Sequence, residues 1–264
     1  MAWNIPIPSN ILGGILIAAA VLVGGAVKAG IISSAPIRIM LAGAASVGKT
    51  STKERIRVAA DNAPPPGKTY TLQAPVNIEY QWDRSNPDTK RRLHIRDMPG
   101  EGWIKGLYWK ILTSDAPQAI INVIDDRALD RANLGMAHAD NQLAAFNLLI
   151  TNVLSREYKE RISEDDRLRV FILAVNKSDL YEKAGKTYDE LSEPFLPGIH
   201  QLTRAGIETR IIGYRANSRS HVDGLMKVVL QDIDSKRSPW RDWWSYQTLG
   251  LRSEYRAFKR WARI

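Results

Sequence analysis

Short, nearly unbroken apolar runs alternate along this chain with longer stretches of mixed polarity. The runs at Ile37–Ala42, 76–82, 92–96, Ala119–Ile124, 169–175 and 209–214 have the length and the β-branched content of strands. Helical patterning occupies 49–60, 141–156, 188–203 and 222–233. Strands separated by helices predict an α/β fold, a mostly parallel sheet with helices on both faces. The adjacent runs 76–82 and 92–96 lie too close for a crossover and read as an antiparallel hairpin. Three consecutive prolines in 61–68 (DNAPPPGK) forbid the first helix from continuing into that segment.

One apolar run differs in kind. Residues 11–27 (ILGGILIAAAVLVGGAV) carry no charge, and the run continues past Lys28 to Ile32. About 20 residues at roughly 1.5 Å each cross a bilayer's hydrocarbon core, and a terminal lysine can reach the headgroups. No basic residue precedes the run, whereas Lys28 and Arg38 follow it, which predicts a single-pass anchor with the rest of the chain in the cytoplasm. The expected organisation is an N-terminal transmembrane anchor (1–33), one α/β domain (34–235) and a basic-aromatic C-terminal tail (236–264).

Composition narrows the chemistry. The chain has 264 residues, enough for one ordinary domain with appendages, and no cysteine, which removes disulfides and thiolate metal sites. Four histidines show no metal-ligand spacing. The net charge of +9 asks for an anionic partner, either headgroups or nucleic acid.

Gly43, Ala44, Ala45, Ser46, Val47, Gly48, Lys49 and Thr50 spell G-A-A-S-V-G-K-T between an apolar strand and a helix. This is the context in which G-x-x-x-x-G-K-S/T wraps successive backbone N–H groups around phosphates. Lys49 is placed for the β- and γ-phosphates, Thr50 for magnesium, and Ser51 follows in the first helical turn. Asp97-Met98-Pro99-Gly100 ends a later strand and fits D-x-x-G, with Asp97 in the magnesium shell and the Gly100 N–H facing the γ-phosphate. Asn176-Lys177-Ser178-Asp179 ends another apolar strand and fits N-K-x-D. The Asp179 carboxylate can accept from both guanine N1–H and its 2-amino group, a donor pair adenine lacks, while the Lys177 stem packs on the base.

Through these three motifs, 37–233 resembles the translation-factor and Ras-like class of P-loop GTPases, Arf-like proteins included. The resemblance implies a GTP hydrolase with GTP or GDP and magnesium as bound groups. It further implies a base-contacting loop, for which Ala216, Asn217 and Ser218 are candidates, and a switch threonine, for which Thr69 and Thr71 are candidates. Glu101 stands where Ras-like enzymes place a water-orienting glutamine, and Ala45 stands where they have glycine; both departures imply slow hydrolysis. An anchor joined to such a domain resembles the signal recognition particle receptor β subunit, and D-x-P-G-E resembles bacterial GTPases of the YcjX and double-GTPase kind. The expected role is a regulatory GTPase that controls assembly of a protein partner at the membrane. The alternative is a subunit that keeps GTP as a structural cofactor of a larger complex.

Segments 125–140 and 156–167 read as solvated connections, with a partner-binding insertion as the sharper alternative. In the tail, Trp240, Trp243, Trp244, Tyr246, Tyr255, Phe258 and Trp261 alternate with lysines and arginines. That composition suits a membrane interface first, packing on the domain or a protein partner second, and nucleic acid least.

Overall fold

The computed structural model describes residues 35–58, 74–82, 85–86, 89–100, 105–129 and 137–236. The expected anchor, Thr69, Thr71, Glu101 and all of the tail beyond Lys236 lie outside these residues. Among the described residues, no helix is long and apolar enough to cross a membrane.

Six strands form one sheet: β1 (Ile37–Ala42), β2 (Val76–Gln81), β3 (Lys90–Asp97), β4 (Ala119–Ile124), β5 (Val170–Val175) and β6 (Glu208–Gly213). Their order is β2-β3-β1-β4-β5-β6, and only the β2–β3 pair is antiparallel. Eight α-helices are described: α1 (Lys49–Arg57), α2 (Lys105–Ser114), α3 (Ala137–Leu154), α4 (Arg156–Arg161), α5 (Ser178–Lys183), α6 (Tyr188–Ser192), α7 (Leu196–Arg204) and α8 (Arg219–Lys236).

The two faces of the sheet bury separate cores, following the two-residue period of the strands. Met40, Ala42, Ile120, Phe171 and Leu173 pack with Leu112, Phe146, Leu149 and Phe195 on one side. Ile39, Leu41, Ile121 and Ile172 pack with Ile56, Leu225, Val229 and Ile233 of α1 and α8 on the other. Because β4 and β5 are covered on both faces, every one of their residues is buried, which is why all of them except Asn122 are apolar. Phe146 locks α3 to the first core by edge-on contacts with Phe171 and Phe195, at 5.9 and 5.1 Å between ring centres.

The register determines where the chemistry collects. Leu41 lies opposite Asp97, and Val175 lies opposite Gly213, so β1, β3, β5 and β6 end together at the carboxyl edge. Ligands of open α/β sheets bind outside that edge.

Three sequence expectations need correction. The stretch 188–203 is not one helix: Pro194 and Pro197 each sit in a first turn, and the chain passes from α6 through a 3-10 turn at Glu193–Phe195 into α7. Proline is tolerated only there, because its ring and missing N–H disrupt a helix interior. Residues 156–167 are more than a solvated connection. Ser155 caps α4 by accepting from the Tyr158 N–H, and the buried Tyr158 hydroxyl accepts from the Leu168 N–H at 3.1 Å. At the head of 125–140, Asp125 is fully buried rather than solvated.

Candidate functional site

The loop between β1 and α1 needs three residues at positive φ: Gly43 (129°), Ser46 (62°) and Gly48 (104°). Gly48 precedes α1, and among the described residues no side chain caps the helix there, the form of a phosphate-binding helix N-terminus. A Cβ on Gly48 would come within 2.2 Å of Asn176 Nδ2, so glycine is required by contact as well as by φ. Lys49 is buried, and its ammonium donates to the carbonyls of Gly43 (3.0 Å) and Ala44 (2.5 Å) across the loop. Burial pulls the Lys49 pKa down to about 8, with Asp97 opposing the shift. Ser46 is exposed, Ala44 and Val47 are buried, and Ala45, Thr50 and Ser51 lie between these extremes.

Asp97 meets this loop from the end of β3. The Thr50 hydroxyl donates to Asp97 Oδ2 at 2.8 Å, bringing together the two residues expected to serve magnesium. Asp97 Oδ1 is buried and has no hydrogen-bond partner among the described residues. Burial raises the carboxyl's pKa, and the Thr50 hydroxyl with the Lys49 and Lys53 charges recovers only part of that cost. A buried carboxylate oxygen left unpaired next to a hydroxyl is the donor set a hard cation takes, so these residues fit magnesium. Gly100 passes so near the loop that a Cβ there would lie 2.2 Å from the Ala45 nitrogen.

Asn176 joins the two halves of the site. Its Nδ2 donates to the Val47 carbonyl at 2.8 Å, and its Oδ1 accepts from the Ala216 N–H at 2.8 Å. Of the three candidates in the β6–α8 loop, Ala216 has therefore committed its N–H, and Ser218 donates its own to the Arg215 carbonyl. The Asn217 N–H has no acceptor among the described residues. Lys177 precedes α5 in the left-handed conformation (φ 64°), an uncommon one for a lysine. Asp179 lies in the first turn of α5, partly exposed.

Sequence reasoning missed the group that holds Lys177 in place. Asp125 Oδ2 accepts from Lys177 Nζ at 2.7 Å and from Arg127 Nη2 at 2.5 Å, while Oδ1 accepts from Gln142 Nε2 at 2.8 Å. Arg127 also donates to the Ser46 carbonyl at 3.2 Å, so one carboxylate connects N-K-x-D to the phosphate loop. The available signal was an acidic pair closing a strand that is apolar but for Asn122, at the carboxyl edge of a parallel sheet. Two tyrosines tighten the same region. Tyr108 of α2 accepts from the Gly43 N–H at 3.4 Å, and burial pushes its hydroxyl up to about 12. Tyr214, fully buried, shares a 2.8 Å hydrogen bond with the Thr52 hydroxyl of α1.

Neither a protein-family model nor a curated protein sequence matches the chain. Among solved structures it is similar to the Arl6 BBS3 small GTPase from Trypanosoma brucei with bound nucleotide analogue GppNp. That likeness has a TM-score of 0.52 at 18% identity and covers 77% of this chain and 100% of the other. A second similar structure is the bacterial selenocysteine-specific elongation factor EF-Sec, with a TM-score of 0.47, 16% identity and 78% of this chain covered; the chain spans only 30% of that protein's length. At 18% identity the shared property is the fold: the described domain has the fold of a small GTPase.

Proposed function

We propose that this chain is a membrane-anchored regulatory GTPase that binds GTP and GDP with magnesium, hydrolyses GTP slowly and controls assembly of a protein partner at the cytoplasmic membrane face. The observation that carries the nucleotide reading is the convergence of three separate loops through Asn176 and Asp97. The Lys49 ammonium, now on two loop carbonyls, would turn to the phosphates that the N–H groups at the start of α1 would hold. Thr50 and Asp97 would hold magnesium, which neutralises charge on the β- and γ-phosphates. Asp179 would select guanine, since adenine offers its carboxylate no matching pair of donors. Support for the anchor comes from the uncharged run 11–27.

A second reading, a subunit that retains GTP as a structural cofactor, draws on Ala45. Its backbone lies so close to Gly100 that a Cβ there would meet the Ala45 nitrogen and Cα, so the two loops approach one another at this residue. Single-turnover hydrolysis by the GTP-loaded chain separates the two readings, because the regulatory one requires measurable turnover that a partner can raise.

The guanine assignment has its own test. Asp179→Asn is expected to shift preference from GTP toward XTP by about two orders of magnitude, because the amide donates to the xanthine 2-oxygen where the carboxylate accepted from the amino group. Equal affinity of the wild-type chain for ATP and GTP would overturn the assignment.

A further inference from the structure

The two loops expected to read the base are tied to each other at successive positions. The Ala216 N–H donates to Asn176 Oδ1 at 2.8 Å, and the Ser178 N–H donates to the Tyr214 carbonyl at 3.3 Å. Between these two bonds, Arg215 Nε donates to Ser178 Oγ at 3.0 Å. Ser178 is buried and is the first residue of α5, so Arg215 grips the variable position of N-K-x-D, immediately before Asp179. Arg215 also lies 3.7 Å from Glu182, but 38% and 58% of the two side chains are exposed, so this ion pair contributes little. A cation at the first residue of a helix is opposed by the helix dipole, so helix stability alone does not select the placement of Arg215.

We propose that Arg215 determines base specificity at one remove: through Ser178 it fixes the first turn of α5, and with it the direction of the Asp179 carboxylate toward the two donors on the guanine edge. This rests on the guanine-nucleotide reading above. The geometry gives the reason. Asp179 has to meet two donors at once, and hydrogen bonds weaken steeply when they are misaligned. It projects from a helix of six residues, too short to hold its own first turn rigid. Ser178 supplies the constraint, held by its backbone on Tyr214 and by its hydroxyl on Arg215. Arg215 is a positioning residue; the group that touches the base is Asp179.

The test is the affinity of the full chain in detergent for GTP and for ITP, which lacks only the 2-amino group. The wild type is expected to prefer GTP by about tenfold or more, the worth of one hydrogen bond to a charged acceptor. In Arg215→Ala that preference is expected to fall to about twofold or less, GTP affinity dropping much further than ITP affinity. Ser178→Ala should do the same, and the double variant should lose no more than either single one, because all three remove the same bond. Glu182→Gln, which removes only the exposed ion pair, should keep the wild-type preference; a loss there as large as in Arg215→Ala overturns the route through Ser178. A merely structural role lowers both affinities together, so an unchanged ratio of GTP to ITP affinity in Arg215→Ala and Ser178→Ala overturns the proposal, as does a double variant whose loss compounds the two single losses. Should Arg215→Ala fail to fold, Ser178→Ala decides alone. A wild-type chain that does not prefer GTP over ITP, or whose preference survives Asp179→Ala, overturns the guanine reading itself and this proposal with it.

Discussion

Asp125 accepts every hydrogen bond that reaches its carboxylate, from Gln142, from Arg127 and from Lys177. An asparagine of the same shape must turn an amide N–H₂ toward one of those donors. Asp125→Asn is therefore expected to cost about 2–3 kcal/mol, below the full cost of breaking a buried pair because solvent reaches about a quarter of each cation's side chain. It should also release the Lys177 ammonium and weaken nucleotide binding. The pH dependence follows from the carboxyl's position. Burial works to raise its pKa, but hydrogen bonds and charge from Arg127 and Lys177 overcome it and hold the group below the usual carboxylate value. A carboxyl lowered by folding contributes stability above its unfolded pKa, near about 3.9, and loses that contribution as pH falls through the lower folded value. Urea unfolding should show a constant gap between wild type and Asp125→Asn from neutrality down to about pH 5, narrowing only below about pH 4. A gap that closes between pH 7 and 5 would assign the stability to another group.

At the scale of elements, one side chain reaches α1, β2 and α8 together. Arg219, at the start of α8, donates to the carbonyls of Arg55, Ile56 and Val58 where α1 ends, and its Nε donates to Asp223 Oδ2 at 3.0 Å. Its guanidinium lies over the Tyr80 ring of β2 at 5.2 Å, and the Tyr80 hydroxyl donates to Asp223. The arginine closes open carbonyls, a cation at the negative end of α1. Arg219→Ala is expected to cost about 2 kcal/mol in denaturant unfolding and to speed hydrogen exchange at Val58, whose N–H closes the last turn on Glu54. Combined with Asp223→Ala the cost should fall short of the sum, because both changes remove the same bond. None of this joint was legible in the sequence, for a physical reason. β1 and β4 end where their apolar runs end, and the phosphate loop is readable because its glycines and lysine answer to local backbone chemistry. Helix α2 (KGLYWKILTS) begins with a glycine at its second position, and α5 is six residues long, too short for a helical period to show. Asp125 and Arg219 gain their roles only when elements distant in sequence meet.

For the molecule as a whole, the distribution of charge leads to the last prediction. The chain carries a net +9, and residues 236–264 hold eight basic residues against two acidic ones, so most of the excess is in the tail. Tryptophans among those cations prefer the water–lipid boundary, and each basic residue near an anionic leaflet contributes about 1 kcal/mol, enough together to rival the cost of ordering such a segment. If run 11–27 anchors the chain, tail binding becomes an event on a surface already nearby, at high effective concentration. Two separable contacts are then expected. The full chain should stay with membranes through high salt and alkaline carbonate, while a chain beginning at Ser34 should be released. That shortened chain should still bind vesicles containing anionic lipid, less so as salt rises, and should lose this binding when 237–264 are removed. Tryptophan emission should shift to shorter wavelength on anionic vesicles and stay put on neutral ones. Release of the full chain by salt alone would refute the anchor. Equal vesicle binding with and without the tail would assign its aromatic residues to the domain or to a protein partner instead.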